Sequence, residues 1–195
     1  MVSILNLETY AEENHIPIME HEGIDYLTNY IKEHHLQSIL EIGTAIGYSA
    51  IKMALINKNI KITTIERDLL RYQEAVKNIK KFKLEPQITL IYGDAFDVSL
   101  NQQYDLIFID AAKSQYIRFF EKFESNLKLN GVIIADNLNF HGLVDSDQTN
   151  LSANVRGLVR NLKKYIKFLE NHPRFKTEFF HIADGISVSI KVRSD

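Results

Sequence analysis

Ser38-Ile39-Leu40-Glu41-Ile42-Gly43-Thr44-Ala45-Ile46-Gly47-Tyr48-Ser49 is the stretch that decides the fold. Ser38 to Ile42 reads as a buried strand ending at Gly43, and the glycine turn opens a helix from Tyr48 to Ile56. Open α/β sheets bind ligands in the crevice at the carboxyl ends of their strands, and this is such an end. Gly43 lets the backbone approach a ligand closely, and Gly47 permits tight entry into the helix. A dinucleotide fingerprint, G-x-G-x-x-G, needs glycine at 45 and 48, where Ala45 and Tyr48 stand. No P-loop lysine is present either. Glu41, just before the turn, suits a ligand with an ammonium group better than a pyrophosphate.

Outward from this turn the pattern repeats. Ile60 to Ile65 reads as a second strand, a helix follows from about Leu69 to Lys83, and Gln87 to Tyr92 is a third strand. Tyr104 to Ile109 is a fourth, a helix runs from about Ser114 to Leu127, and Gly131 to Ala135 is a fifth. Strands alternating with helices predict parallel βαβ units. After Asn137 the pattern changes. A loop-like segment reaches Asn150, an amphipathic helix covers about Ser152 to Asn171, and two alternating strands meet through Ala183-Asp184-Gly185. That end reads as an antiparallel β-hairpin, unlike a dinucleotide-binding domain. The expectation is one domain over 1–195, with 1–36 as an N-terminal helical cap built around a helix from Gly23 to His35. Residues 137–171 are read as a loop and basic helix inserted before the hairpin.

The 195 residues suffice for a sizeable core, and 45% apolar with 25% charged residues is ordinary for a globular protein. With no cysteine, disulfides, thiolate nucleophiles and cysteine zinc sites are excluded, so any metal rests on oxygen or imidazole. No signal peptide is read at the start, and no apolar run approaches the ~20 residues of a membrane span, so a cytoplasmic protein without membrane contact is expected. The net charge of −2 hides an uneven distribution. Through residue 36 the charges are almost all acidic. Basic side chains gather at Arg67, Arg71, Lys77, Lys80, Lys81 and Lys83, and again at Arg156, Arg160, Lys163, Lys164, Lys167, Arg174 and Lys176. Such stretches are either solvated helix faces or a polyanion-binding surface.

Acidic residues recur at successive strand ends. Glu66 ends the second strand, where a carboxylate can accept both hydroxyls of a ribose. Asp94 and Ala95 follow the third, where an adenine would be met. Asp110 ends the fourth, and Asp136-Asn137 end the fifth. Neighbouring strands lie ~4.8 Å apart, so adjacency would gather two carboxylates and an amide oxygen. Three hard oxygen donors with open positions suit Mg²⁺, and Mn²⁺ or Ca²⁺ less distinctively. The competing reading is that Asp110 and Asp136 cap the helices after their strands. Lys113 lies where the chain turns into a helix; a partly desolvated lysine beside a cation can take a proton. The histidines, His15, His21, His34, His35, His141, His172 and His181, show no metal-binding spacing. His141 alone sits just past Asp136-Asn137.

Leu40 to Ser49, Asp110-Ala111-Ala112-Lys113 and Asp136-Asn137 together resemble the cation-dependent O-methyltransferases, the family of the catechol and caffeoyl-coenzyme A enzymes. The resemblance extends from Pro17 to the final hairpin. It implies a Rossmann-like S-adenosylmethionine-dependent methyltransferase fold: a mostly parallel seven-stranded sheet, a C-terminal antiparallel hairpin, and helices on both faces. It implies S-adenosylmethionine and Mg²⁺ (or Mn²⁺) as cofactors. Asp110, Asp136 and Asn137 would hold the metal, and Lys113 would be the base. Glu66 would take the ribose, Glu41, Gly43 and Ser49 would surround the methionine part, and Asp94, Ala95 and Asp110 would border the cofactor, with Met19 closing over it. Plant members tend to carry an acidic residue where Ala112 stands. The short chain, the segment Asn137 to Val144 and the basic helix are similar to bacterial tRNA 5-hydroxyuridine methyltransferases. That implies a tRNA partner meeting the helix 152–171, and a homodimer. The rival expectations are methylation of small catechols or phenols, and a nucleotide-binding module without catalysis.

Overall fold

Alternation of isoleucine-rich runs with amphipathic stretches yields seven strands in the computed structural model, which describes residues 3–138 and 152–193. The chain divides into two compact units, Met1–Asn101 and Gln102–Asp195.

The first unit holds α1 (Ile4–Glu13), α2 (His21–Glu33), β1 (Ser38–Ile42), α3 (Tyr48–Ala54), β2 (Lys61–Glu66), α4 (Leu69–Lys81) and β3 (Ile88–Tyr92). Its strands run parallel in the order β3-β2-β1. Ile39, Leu40 and Ile42 of β1 and Ile62 and Ile65 of β2 are buried. Each such side chain contributes roughly 1.5–3 kcal/mol of hydrophobic stabilisation. Asp68 caps α4, its carboxylate accepting from the Arg71 N–H at 2.9 Å. The N-terminal cap has one helix more than expected: α1 begins at the Ser3 N-cap and buries only Leu7 and Ala11, too sparse an apolar stripe to announce a helix. Both α1 and α2 pack against α3.

The second unit holds β4 (Tyr104–Ile109), a 3-10 turn at Lys113–Gln115, α5 (Tyr116–Phe123), β5 (Leu127–Ala135), α6 (Ala153–Glu170), β6 (Phe175–Phe180) and β7 (Ile186–Lys191). β4 and β5 pair in parallel, β5 and β7 antiparallel, and β7 and β6 close the hairpin. β5 starts four residues before the expected Gly131. Leu127 pairs with Tyr104, but the next partners are Leu106 and Val132, so the extra residues bulge out, with Asn130 left-handed at φ 60°. A Cβ at Gly131 would lie 2.9 Å from the Lys128 carbonyl oxygen, so the bulge closes only over glycine. The expected helix from Ser114 to Leu127 is split into α5 and two flanking 3-10 turns. Among the described residues no helix is long and apolar enough to cross a membrane.

Candidate active site

In the first unit the turn after β1 is fixed by donors and acceptors on β2. The Gly43 N–H donates to the Ile65 carbonyl at 3.1 Å, and the Thr44 hydroxyl meets that of Thr64 at 2.5 Å. Gly43 (φ 101°), Ala45 (φ 48°) and Gly47 (φ 88°) are all left-handed. Ala45 adopts this costly conformation with its N–H aimed at the Glu66 carboxylate, 2.8 Å from Oε2. The other oxygen, Oε1, accepts from the Asp68 N–H at 2.8 Å. Glu66 therefore ties the first turn to the chain after β2.

Glu41 is fully buried. The Ser49 hydroxyl donates to its Oε1, and the Thr64 hydroxyl to its Oε2 at 2.5 Å. The sequence-predicted pair Glu41 and Ser49 are thus each other's partners, bracing the turn from beneath. Asn78 of α4 adds a further brace, donating to the Ile46 carbonyl at 3.0 Å. Met19 and Ala95 are buried, in the segment before α2 and in the loop after β3. Asp94 accepts from the Phe96 N–H at 2.9 Å, and its other oxygen lies 3.7 Å from the Arg67 guanidinium.

In the second unit the parallel register aligns Ile109 with Ala135, so the next residues, Asp110 and Asp136, leave adjacent strand ends together. The adjacency required for a shared site is present. Asp136 is 3% exposed; the Asn137 amide donates to its Oδ2 at 3.0 Å, while its Oδ1 is buried with no hydrogen-bond partner. A buried, unsatisfied carboxylate oxygen is costly unless a cation meets it. Burial, then the nearby Asp110 charge, push the Asp136 carboxyl up to about 7, against the Asn137 N–H and Lys113. Asp110 keeps some solvent contact at its surface, yet protein crowds it closely enough that burial raises its carboxyl to about 6, opposed by Lys113.

Asn137 sits at φ 63°, a left-handed position asparagine tolerates, which turns its amide back over Asp136. With the amide nitrogen given to Asp136, the amide oxygen is the atom left to serve as a third donor. Among the described residues no group of three or more His, Asp or Glu gathers as a metal cage, and a hard cation at these strand ends would rest on the two carboxylates and the amide. The unsatisfied Asp136 Oδ1, the nearby Asp110 charge and hard oxygen chemistry fit Mg²⁺ or Mn²⁺. Lys113 stands half-buried at the start of its 3-10 turn, near enough to both carboxylates to oppose their shifts.

Two neighbours escaped sequence reasoning. Tyr116 is buried and donates from its hydroxyl to the Asp136 carbonyl at 3.0 Å, fixing the end of β5. Asp184, in the hairpin turn, is buried, and its charge contributes to raising the Asp136 carboxyl. The Leu138 N–H donates to the Gly185 carbonyl at 3.0 Å, which docks that turn beside the strand end. Asp-Gly read in sequence only as a turn former, and no local signal marks the contact. His141 and the rest of 139–144 lie outside the described residues.

The O-methyltransferase family model matches residues 2–192. The chain belongs to that family. A candidate caffeoyl-CoA O-methyltransferase from Staphylococcus aureus is 39% identical, with 98% of this chain and 93% of that one covered and a TM-score of 0.93. Caffeoyl-CoA O-methyltransferase of Populus kitakamiensis is 27% identical over 84% of this chain and 73% of its own. Catechol O-methyltransferase of Niastella koreensis is 34% identical over 64% of this chain and 59% of its own. The fold expected from the sequence, seven strands with a terminal antiparallel hairpin, is the methyltransferase fold of these neighbours.

Proposed function

We propose that this chain transfers the methyl group of S-adenosylmethionine to a hydroxyl oxygen that has a second oxygen beside it, with a divalent cation held by Asp110, Asp136 and Asn137. The observation that carries the reading is the buried Oδ1 of Asp136, without a donor, beside the second carboxylate of Asp110. The cofactor supplies a methyl carbon on a positive sulfur, and the cation, when bound, supplies the charge that favours an ionised substrate oxygen. The first unit binds the nucleoside: Glu66 takes the ribose hydroxyls, Asp94 and Ala95 border the base, and the Gly43–Gly47 turn, braced by Glu41 and Ser49, lines the methionine part, with Met19 packed nearby. Asp110 serves both the cofactor border and the metal. Lys113 Nζ accepts the hydroxyl proton as the C–S bond breaks and the C–O bond forms, leaving S-adenosylhomocysteine and a methyl ether.

The substrate favoured here is the 5-hydroxyuridine of a tRNA wobble position, giving 5-methoxyuridine. Its 5-hydroxyl and 4-carbonyl oxygens form the vicinal pair the donor set calls for, and the concentration of cations on α6 supports a nucleic-acid substrate. The reading includes a cytoplasmic enzyme that works as a homodimer. A second reading, methylation of small catechols, is favoured by what the relatives are named for. Purified protein with labelled S-adenosylmethionine and Mg²⁺ should be offered tRNA bearing 5-hydroxyuridine, catechol and caffeoyl-coenzyme A, with products identified by mass spectrometry. Label in 5-methoxyuridine supports the tRNA reading. Turnover of the phenols with unmodified tRNA overturns it in favour of the second reading, and no transfer to any acceptor reduces the chain to a binding module.

A further inference from the structure

Helix α6 carries Arg156, Arg160, Lys163, Lys164 and Lys167, all exposed, around an open concavity of about 540 Å³. At ~100° per residue these positions fall on one stripe of the helix. Val159, Leu162, Tyr165 and Leu169, at complementary positions, are buried. Within α6 the only acid is Glu170, its last residue.

Three features make this an unfavourable stripe for a helix that merely meets water. The spacings 156/160, 160/163, 160/164, 163/167 and 164/167 are all i,i+3 or i,i+4, so each is a pair of like charges facing each other. Arg156 sits in the first turn, where the helix dipole disfavours a cation. Gly157 lies in the helix interior, where glycine is among the poorest formers, yet a Cβ there would meet nothing within 4 Å. No packing need in the described residues explains that glycine. Repulsion and a bare backbone patch are both relieved by an anionic partner that comes close.

We infer that the α6 stripe is the surface on which this protein grips the phosphodiester backbone of its tRNA, a reading that rests on the proposed tRNA methylation. Arg156 to Lys167 spans ~16 Å along the helix axis at 1.5 Å per residue. That length lets the stripe follow several phosphates of one strand, whose axial spacing is ~3.4 Å in a B-form duplex. A concavity walled by five long cationic side chains suits an extended polyanion. A membrane surface is the weaker fit, because the apolar face a surface helix would sink into lipid is here committed to the core. The stripe also lies on the helix that packs against the 3-10 turn of Lys113, and the Tyr165 ring stands 5.3 Å from that of Tyr116, the residue bonded to Asp136. The backbone of a nucleic acid held on α6 is thereby one helix away from the proposed base.

The test compares wild type with an Arg160→Glu, Lys164→Glu double variant. The readouts are fluorescently labelled tRNA binding between ~50 and ~300 mM salt, catechol methylation, melting temperature and sizing chromatography. Wild type should bind with an affinity that falls steeply with salt. The variant should bind on the order of tenfold or more weakly, with a log–log slope shallower by ~1.4, about 0.7 for each lost single-strand phosphate contact. Its catechol methylation and size should be unchanged, and its melting temperature equal or higher, since like-charge pairs have been removed. Gly157→Ala should also raise the melting temperature while weakening tRNA binding. Equal binding and slope in wild type and double variant overturn the inference, as does an altered oligomeric state, which would make the stripe a contact between copies. Binding of wild type to phosphatidylglycerol vesicles without binding to tRNA overturns it too. A wild type that grips tRNA through these residues but methylates nothing upholds the surface and sinks the enzymatic reading instead.

Discussion

The two units treat buried carboxylates in opposite ways. In the first, Glu41 and Glu66 have each oxygen met by a donor: Ser49 and Thr64 for one, the Ala45 and Asp68 N–H groups for the other. In the second, Asp136 has an oxygen with no donor, and the nearby Asp110 charge adds to the cost of ionising it. A satisfied acid braces the fold before any ligand arrives. An unsatisfied one, retained in a folded protein, marks a position whose counter-charge arrives later. On the proposed function, the chemistry falls to the second unit and the preformed cradle to the first.

Asp136→Ala is the change expected to have the largest effect. It should take methyl transfer to the detection limit while the protein stays folded, and excess chelator should do the same to wild type until Mg²⁺ or Mn²⁺ is restored. Activity surviving in chelator would break the contrast at its root. Next comes Lys113→Ala, which should lower turnover by ~10²–10⁴-fold with little change in substrate affinity, the usual range for a lost general base. The deficit should shrink as pH rises and the hydroxyl ionises unaided; a pH-independent loss would remove the base role.

Stability separates the two kinds of acid by sign. Glu66→Ala leaves the Ala45 and Asp68 N–H groups without their acceptor and should cost ~1–3 kcal/mol in denaturant unfolding. Asp136→Asn, by contrast, should leave the metal-free protein as stable or more so near pH 8, because it removes a charge the fold disfavours. The same logic fixes a pH dependence. With carboxyls raised to about 6 and about 7, the folded metal-free protein holds protons that the unfolded chain, at ~4, has released. These groups therefore favour the folded state fully below about pH 4, and that contribution is lost as pH rises to about 7. At ~1.4 kcal/mol per unit, the two shifts together set an upper bound on the order of 7 kcal/mol. Melting temperatures of metal-free protein from pH 4 to 8 should show the fall, and the double Asn variant should flatten it. A flat wild-type profile would mean that neither aspartate is strained.

Much of this was legible in the residues. Strands β1 to β4, α4, α6 and the hairpin follow their apolar periods closely, and the pairing of β4 with β5 put Asp110 and Asp136 where the strand ends predicted. Illegible parts depend on contacts distant in sequence. Glu41 announced itself as an acid before a glycine turn, but its bonds run to Ser49 and across to Thr64, twenty-three residues on. Asp184 is forty-eight residues beyond Asp136, and only the antiparallel return of β7 along β5 brings it there. The start of β5 was hidden because Lys128, Leu129 and Asn130 are exposed and mixed, with no period to betray a strand.

The left-handed Ala45 has a consequence for the thermodynamics of ligand capture. Glycine at that position would let the turn wander among many shapes and charge the ligand for selecting one. Alanine, pinned by its bond to Glu66, leaves little freedom to surrender, since the ordering was completed when the protein folded. Nucleoside association at this turn is therefore expected to carry a small entropic penalty, and calorimetry should find that Ala45→Gly weakens it chiefly through the entropy.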